Sequence, residues 1–282
     1  MDVSGMFDEL EESLAPLLLG FRSRLGTLSV VQKPDRTLLS EADVAVQDHI
    51  VSLIQAHDPD AGIIAEEGTR RPGGRSTSRR VWVVDPIDGT AEFIRPDRRE
   101  YCSVLSLLDD RRPIAALMLA PEAGTDGVPL SVRVIGDGVP IVVNGRPGTR
   151  IAATPQRVSV TRSAATAERV WEQALAEAGF QLKTRTTSQT LDMTRTCVDL
   201  SAESGGLLSP FALFYREAQK VWDGAAGMCL ARAAGLRVCD RDGRDRTTID
   251  IDLAAAEPTF ASTLVAPPAV VEQFLGWSSG QS

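Results

Sequence analysis

Two aspartates end an apolar run in the stretch VWVVDPIDGTAEF, which covers residues 81–93. A carboxylate at the end of a buried strand is costly unless it is paired with a cation or bound to one. Pro86 sets a turn between Asp85 and Asp88, and this turn can aim both carboxylates and the carbonyl group of Ile87 at one point. The stretch therefore predicts a metal site, or else an ordinary turn in which Asp and Gly take their usual positions.

Three further acids stand where they could join these two. Glu66 and Glu67 follow the apolar stretch AGIIA, and Asp223 opens a predicted helix in VWDGAAG. Acids at strand ends and helix starts, without a basic partner nearby in the sequence, predict an oxygen-lined site for a hard cation such as Mg²⁺. Zinc is disfavoured because the two histidines, His49 and His57, lie outside these clusters. Taken singly, each acid could instead be solvated or could cap a helix.

The motifs AEEG, DPIDGT and WDGAAG, preceded by SEAD, resemble in order and detail the signature of the inositol monophosphatase superfamily of metal-dependent, lithium-sensitive phosphatases. The segment VVNGRP also matches the NG turn of that family, so the resemblance covers nearly the whole chain. It implies two or three Mg²⁺ ions. Glu66, Asp85 and the Ile87 carbonyl would hold the first ion. Asp85, Asp88 and Asp223 would hold the second, with Asp85 bridging the two.

The resemblance also implies catalytic and phosphate-binding roles. Thr90, supported by Asp43, would position the attacking water and help to deprotonate it, and Glu66 is counted with them as a catalytic residue. The backbone amides of Gly89 and Thr90 would contact the phosphate. The chemistry is consistent, because a metal lowers the pKa of bound water and a second cation neutralises the leaving alkoxide. The sequence has no GxSxG elbow, P-loop or GxGxxG, in keeping with a mechanism that needs no covalent nucleophile.

The segment after the metal motif bears on the substrate. DGTAEFI resembles the DGTxEFI of bacterial adenosine 3′,5′-bisphosphate nucleotidases, whereas inositol monophosphatases usually continue with Thr-Asn-Phe. The first prediction is therefore a phosphatase of 3′(2′)-phosphorylated nucleotides such as adenosine 3′,5′-bisphosphate. The alternative within enzymes is an inositol, cyclitol or sugar monophosphate phosphatase, including one of a specialised biosynthetic pathway. The rivals from other classes are a non-catalytic, metal-binding regulatory relative and a module that binds anions through its arginines.

Several positions depart from the nucleotidase pattern. Ala164 stands where that branch has His, and Asp192 lies near the place of its Lys. Seven residues before Asp223, where inositol-specific members have Glu, stands Arg216. Arg216 and Lys220 form an i, i+4 pair that could bind a second phosphate or a carboxylate, or lie on a solvated helix face.

Other basic residues lie near these motifs. Lys33 falls in a segment that resembles the mobile, metal-covering loop of the family. The polar loop GTRRPGGRSTSRR contains five arginines, Arg70, Arg71, Arg75, Arg79 and Arg80. Their charge could draw an anionic substrate toward the site, or the loop could simply be solvated.

The elements that must position these residues change along the chain. Apolar spacing predicts helices over about 6–25 and 40–56, and a hairpin around DDRRP over 101–121. Residues 1–154 are predicted to form an α+β metal-binding domain with a mostly antiparallel sheet. Residues 155–282, where strands alternate with helices, are predicted to form a smaller α/β domain that contributes Asp223 and the substrate pocket. Together with the resemblance, this predicts a layered αβαβα sandwich.

Composition limits the partners. The chain has 282 residues and a net charge of −8, which disfavours a nucleic-acid polymer or an anionic membrane as partner. The four cysteines are scattered without a CxxC, as in reduced cytoplasmic proteins. The N-terminal segment has acids where a signal peptide needs basic residues, and no apolar run is long enough to span a membrane. We therefore expect a cytoplasmic protein with a small phosphorylated substrate, and the resemblance implies a homodimer.

Overall fold

The computed structural model describes residues 2–32, 38–68, 79–162 and 168–279. The helices in these ranges are α1 (Val3–Arg22), α2 (Glu41–His57), α3 (Thr90–Phe93), α4 (Val170–Glu177), α5 (Gln189–Cys197), α6 (Val221–Ala233) and α7 (Pro268–Ser279). The helices predicted over 6–25 and 40–56 correspond to α1 and α2. Apolar residues recur at helical spacing along α1 and are buried, among them Met6, Leu10, Leu14 and Leu18.

The strands of the described ranges form three sheets. β1 (Val30–Gln32) and β2 (Leu38–Ser40) make an antiparallel pair. One sheet contains, in spatial order, β3 (Gly62–Ala65), β4 (Arg80–Asp88), β5 (Cys102–Asp109), β6 (Arg112–Ala120), β7 (Leu130–Ile135), β8 (Val142–Val143) and β9 (Arg146–Pro147). Only its β3–β4 pair is parallel, so this sheet is mostly antiparallel, as predicted.

The other large sheet follows in the chain. Its strands are β10 (Arg157–Arg162), β11 (Gln181–Arg185), β12 (Leu213–Lys220), β13 (Arg237–Cys239) and β14 (Thr259–Ala266). Their spatial order is β11-β10-β12-β14-β13, with β10 parallel to both β11 and β12 and the other pairs antiparallel. The two sheets thus divide the sequence near residue 154, although independent folding of two domains stays a prediction.

Among the residues that the structure describes, three hydrophobic cores hold the layers together. Along β4 the side chains alternate, so that Trp82 and Val84 join α1 and α2 in one core while Val81 and Val83 face α5 and α6 in another. An unbroken apolar run is expected for a strand that is buried on both faces. The far side of the second sheet packs on α4 and α7 through a third core. The order helix, sheet, helix, sheet, helix confirms the layered αβαβα sandwich.

The small residues of the WDGAAG motif let α6 approach its neighbours closely. A Cβ added at Gly227 would lie 2.6 Å from the Met193 side chain of α5, and one at Gly224 would lie 2.8 Å from the Gln219 Oε1 atom. Real Cβ atoms do not come this near to other heavy atoms, so larger residues would push α6 outward. The glycines therefore hold the first turn of α6, which carries Asp223, against α5.

The hairpin predicted around DDRRP is confirmed as β5 and β6, which pair antiparallel. None of the helices in the described ranges is both long and apolar enough to cross a membrane.

Candidate active site

Three buried aspartates meet at one point between the two large sheets. Asp85 and Asp88 lie at the end of β4, and Asp223 lies in the first turn of α6. Each offers a carboxylate oxygen, and these three atoms lie within 4.8 Å of one another. The structure thus brings together three of the metal ligands that the resemblance implies.

The charges of this cluster oppose one another. Burial raises the pKa of Asp85 well above its ordinary value, and the nearby charges of Glu66, Asp88 and Asp223 raise it further. Burial likewise raises the pKa of Asp223, again with help from Asp88 and Glu66. Asp85 Oδ1 is buried and has no hydrogen-bond partner within the described ranges. Buried carboxylates of this kind fit a hard divalent cation, which would supply the missing partner and offset the repulsion.

Two further predicted ligands flank the cluster. Glu66 follows β3 and is half-buried, and its backbone amide donates to the Val84 carbonyl at 3.2 Å, which places it beside the end of β4. Its charge acts on both Asp85 and Asp223, although it lies outside the tight group of three. Ile87 lies in β4 between the two aspartates, where the structure has a register shift within the strand instead of the predicted turn at Pro86. Its carbonyl oxygen is 3.1 Å from Thr90 Oγ1.

Asp43 and Thr90 form a pair beside the aspartates. Thr90 Oγ1 lies 3.1 Å from Asp43 Oδ1, and Asp43 Oδ2 accepts from the Ser40 amide at 2.7 Å and from Ser40 Oγ at 2.6 Å. Asp43 therefore caps α2 and contacts Thr90 at once, and its catalytic role stays a prediction. Burial raises the pKa of Asp43 to about 6, against the hydrogen bonds from Ser40 and with a smaller contribution from Glu67.

Gly89 precedes Thr90 at the start of α3. Its φ is +96°, a conformation that side chains rarely adopt, and an added Cβ would lie 3.0 Å from the Glu100 carbonyl oxygen. Glycine is thus required for the tight turn that carries Thr90 back toward Asp43. The amides of Gly89 and Thr90 lie at this turn, and their contact with phosphate stays a prediction.

Helix α5 supplies a set of contacts that the sequence analysis missed. Asp88 accepts from Ser188 Oγ at 2.8 Å, from the Gln189 amide at 3.2 Å and from the Thr190 amide at 2.6 Å. Burial raises the pKa of Asp88, while these donors from Thr190, Ser188 and Gln189 oppose the shift. The N-cap serine in TTSQTLD could have indicated a helix start, but not which acid it would meet.

Asp192, which lies near the place of the nucleotidase Lys, belongs to a buried network of ion pairs. Its carboxylate is buried and accepts from Ser159 Oγ, Lys183 Nζ and an Arg195 guanidinium nitrogen, each at 2.7 Å. Burial alone would raise the pKa of Asp192, but the charges of Lys183 and Arg195 outweigh it and hold the pKa low. Arg195 also reaches Glu100 at 3.2 Å, so this network joins α5 to the chain that follows α3.

Arg216 and Lys220 lie on strand β12. The alternative that they share a solvated helix face is therefore wrong. A guanidinium nitrogen of Arg216 donates to Thr186 Oγ1 at 2.9 Å, while its Nε is buried without a hydrogen-bond partner in the described ranges. Burial lowers the pKa of Arg216, and the charge of Asp223 opposes this shift. Lys220 instead contacts Glu257. The two basic residues therefore do not act on one point.

Two arginines of the arginine-rich loop, Arg79 and Arg80, lie in the described residues. Arg79 binds Asp109 and Arg80 binds Asp58, each at 2.6 Å, so both are engaged in ion pairs. The other residues singled out from the sequence in such segments lie outside the described residues, namely Lys33, Arg70, Arg71, Arg75 and Ala164.

The family model for the inositol monophosphatases matches residues 14–271 of this chain. The 3′(2′),5′-bisphosphate nucleotidase CysQ of Escherichia coli is 30% identical over 220 residues, which cover 77% of this chain and 82% of that protein. The probable inositol 1-monophosphatase ImpA of Mycobacterium tuberculosis is 30% identical over 269 residues, which cover 94% and 89%. Among solved structures, the extragenic suppressor protein SuhB from Bartonella henselae has a TM-score of 0.80 at 16% identity and covers 100% of both chains, which shows the same fold.

Proposed function

The chain belongs to the inositol monophosphatase family and is a metal-dependent phosphatase, and from this premise we propose that it hydrolyses a 3′(2′)-phosphorylated nucleotide such as adenosine 3′,5′-bisphosphate. The 30% identity to the nucleotidase CysQ supports this choice. So does the DGTAEFI stretch after the metal motif. The strongest support for a substrate with a second phosphate is the environment of Arg216.

Two or three Mg²⁺ ions fit the donor set, which consists of Glu66, Asp85, the Ile87 carbonyl, Asp88 and Asp223. Bound Mg²⁺ would activate water and neutralise the charge that develops on the phosphoryl and leaving oxygens. The protein holds these donors in place through two elements. Strand β4 fixes Asp85 and Asp88, and the amides of α5 keep the Asp88 carboxylate turned toward Asp223.

Thr90 and Asp43 direct the attacking water. A hydroxyl group has one proton, so a Thr90 that donates to Asp43 presents its oxygen lone pairs to that water. Thr90 Oγ1 then accepts a proton from the water while Asp43 Oδ1 holds the proton of Thr90. Glu66, next to the charge of Asp85, shares this catalytic centre. The amides of Gly89 and Thr90 contact the phosphate.

Arg216 distinguishes this site from one built for a polyol. A carboxylate at this position can accept hydrogen bonds from hydroxyl groups, whereas a guanidinium can only donate and is best matched by a phosphate or a carboxylate. Arg216 forms no ion pair with the described residues, and its buried Nε has no acceptor among them. A second phosphate on the substrate would supply that acceptor. Lys220, which is held by Glu257, contributes to this site only if it leaves that contact.

A second candidate is supported by the aromatic residues. A nucleotide base is expected to stack on an aromatic ring, but the rings of the 197–222 segment are all buried, namely Phe211, Phe214, Tyr215 and Trp222. This favours a cyclitol or sugar phosphate, in agreement with the 30% identity to ImpA. The regulatory, non-catalytic alternative is disfavoured, because the enzyme family matches nearly the whole chain.

The choice is tested by phosphate release from four substrates, each with Mg²⁺, with EDTA and with added Li⁺. The substrates are adenosine 3′,5′-bisphosphate, fructose 1,6-bisphosphate, inositol 1-phosphate and a nucleoside 5′-phosphate. Preference for the nucleotide bisphosphate supports the proposal. Equal use of both bisphosphates supports a second-phosphate site without base recognition. Preference for inositol 1-phosphate contradicts the role of Arg216.

The resemblance leads to further proposals about this protein. We expect inhibition by lithium, a homodimer, a cytoplasmic location and two domains that meet near residue 154. Light scattering of the purified chain tests the dimer, and the Li⁺ arm of the substrate panel tests the inhibition.

A further inference from the structure

Gln189 is the first residue of α5 and contacts two of the three aspartates. Its backbone amide donates to Asp88, and its side-chain Nε2 donates to Asp223 Oδ2 at 2.5 Å. The side chain is buried, with 9% of its surface exposed, and its Oε1 has no partner within the described ranges. The next residue, Thr190, donates from Oγ1 to the Asp223 backbone carbonyl at 3.0 Å. The acid is thus fixed from two sides.

The position of Gln189 is itself well determined. Ser188 caps the helix by accepting from the Leu191 amide at 3.0 Å, and one turn later the Asp192 carboxylate is held by three donors. Helices α5 and α6 pack closely here, since a Cβ added at Gly227 would lie 2.6 Å from the Met193 side chain. These contacts fix the backbone of the first turn of α5, from which the Gln189 side chain reaches Asp223.

This contact limits how Asp223 can bind a cation. With Oδ2 engaged by Gln189, the carboxylate offers its other oxygen, which favours binding through one atom. Mg²⁺ is small and requires a nearly octahedral set of single oxygens, whereas Ca²⁺ takes six to eight oxygens and readily accepts both atoms of one carboxylate. The donor is a neutral amide, so it orients the carboxylate without the repulsion that Lys or Arg would exert on a metal ion.

We propose that Gln189 is a positioning residue that keeps Asp223 bound through one oxygen and thereby makes the site prefer Mg²⁺ over Ca²⁺. The inference rests on the proposed role of Asp223 as a metal ligand and is independent of the substrate. If Gln189 had a purely structural role, replacing it would weaken the binding of Mg²⁺ and of Ca²⁺ alike.

The test is calorimetric titration of the full chain, freed of metal with EDTA and dialysed, with Mg²⁺ and separately with Ca²⁺. Gln189→Met keeps the length of the side chain and removes the donor. Gln189→Glu keeps its shape, removes the donor and adds an oxygen ligand. Gln173→Met is the matched control, because Gln173 also donates to a carboxylate, that of Glu177 at 2.8 Å, but on an exposed helix face.

We expect the ratio of the Ca²⁺ Kd to the Mg²⁺ Kd to fall about tenfold or more in both Gln189 variants, the scale on which outer-sphere partners of metal ligands act. The control should keep the wild-type ratio. An unchanged ratio, including equal weakening of both ions, overturns the proposal. Circular dichroism in EDTA checks the fold, and if the Met variant does not fold the Glu variant decides.

A further variant separates this inference from the site assignment. Asp223→Asn should weaken the binding of both ions if Asp223 is a ligand. If it binds both ions as the wild type does, the ligand assignment is wrong, and the role of Gln189 fails with it. If Asp223→Asn loses binding while the Gln189 variants keep the wild-type ratio, only the inference about Gln189 fails.

Discussion

Thr90 Oγ1 lies 3.1 Å from Asp43 Oδ1, although the two residues are 47 positions apart in the chain. The other oxygen of Asp43 accepts two hydrogen bonds from Ser40, so the cap of α2 fixes the orientation of the carboxylate that meets Thr90. The Thr90 hydroxyl is equally distant from the Ile87 carbonyl, at 3.1 Å. Its single proton can go to one of these acceptors, and the charge state of Asp43 decides which.

Thr90→Ala should lower kcat by roughly 10²- to 10⁴-fold, the usual range for loss of general acid–base assistance. KM should change little, because the substrate would be held by the metal ions and by basic residues. Thr90→Ser keeps the hydroxyl and should keep most of the activity. Steady-state kinetics on the preferred substrate of the panel measures both constants, and an effect confined to KM would mean that Thr90 only binds.

The rate should fall as the pH drops through about 6, because burial raises the pKa of Asp43 to about 6. Above that pH the ionised carboxylate accepts the Thr90 proton and leaves the hydroxyl oxygen free to accept from water. Below it, a protonated Asp43 no longer serves as that acceptor. The profile of kcat/KM against pH should therefore have an acidic limb near 6 that Asp43→Asn lacks. A limb that persists in this variant would have to be assigned to another group.

Much of this site was accessible from the sequence because its residues stand in short motifs. Asp85, Ile87 and Asp88 stand within four residues of one another, so the irregular end of a single strand, β4, brings them together. The contact of Asp88 with the amide of Thr190 spans 102 positions, and nothing local indicates it. Such contacts depend on how the two sheets pack, which residue types alone do not specify.

Two further segments show the same limit. The β12 segment LFYREAQK places Arg216 and Lys220 four residues apart, a spacing that shares one face in a helix and also in a strand, so the pattern cannot distinguish them. The ion-pair network of Asp192 could not be predicted either, because its partners Ser159 and Lys183 come from strands β10 and β11. Without them a buried acid cannot be told from a functional one.

Asp85→Asn should abolish phosphatase activity and leave the fold intact, because it removes the acid that would bridge the metal ions. In EDTA the variant should unfold at a higher temperature than the wild type, since it relieves repulsion among buried carboxylates. A rise of roughly 2–4 °C would correspond to about 1 kcal/mol in domains only slightly smaller than this chain. Mg²⁺ should raise the unfolding temperature of the wild type and have less effect on the variant.

The stability gain of Asp85→Asn in EDTA should depend on pH in one direction. The folded state raises the pKa of Asp85, so the stability that this group contributes is present at low pH and is lost as the pH rises through the folded pKa. The advantage of Asp85→Asn in EDTA should therefore grow as the pH rises above the ordinary pKa of an aspartate toward the raised pKa of Asp85. Asp109→Asn removes an acid that is paired with Arg79 outside the cluster, and it should give no such gain. Retained turnover in Asp85→Asn would refute the metal assignment.

Arg216→Glu should exchange one class of substrate for another. If the guanidinium binds a second phosphate, its loss should lower kcat/KM for the bisphosphate by roughly 10- to 100-fold, the effect of removing a hydrogen bond to a charged group worth about 1.5–3 kcal/mol. The new carboxylate would repel that phosphate but could accept from hydroxyl groups, so inositol 1-phosphate should be affected less or even favoured.

Arg216→Lys keeps the charge and should lose less than Arg216→Glu. Lys220→Ala should change the same constant by about fivefold at most, since its side chain is engaged by Glu257. Equal losses on both substrates in Arg216→Glu would mean that Arg216 supports the site without selecting the substrate.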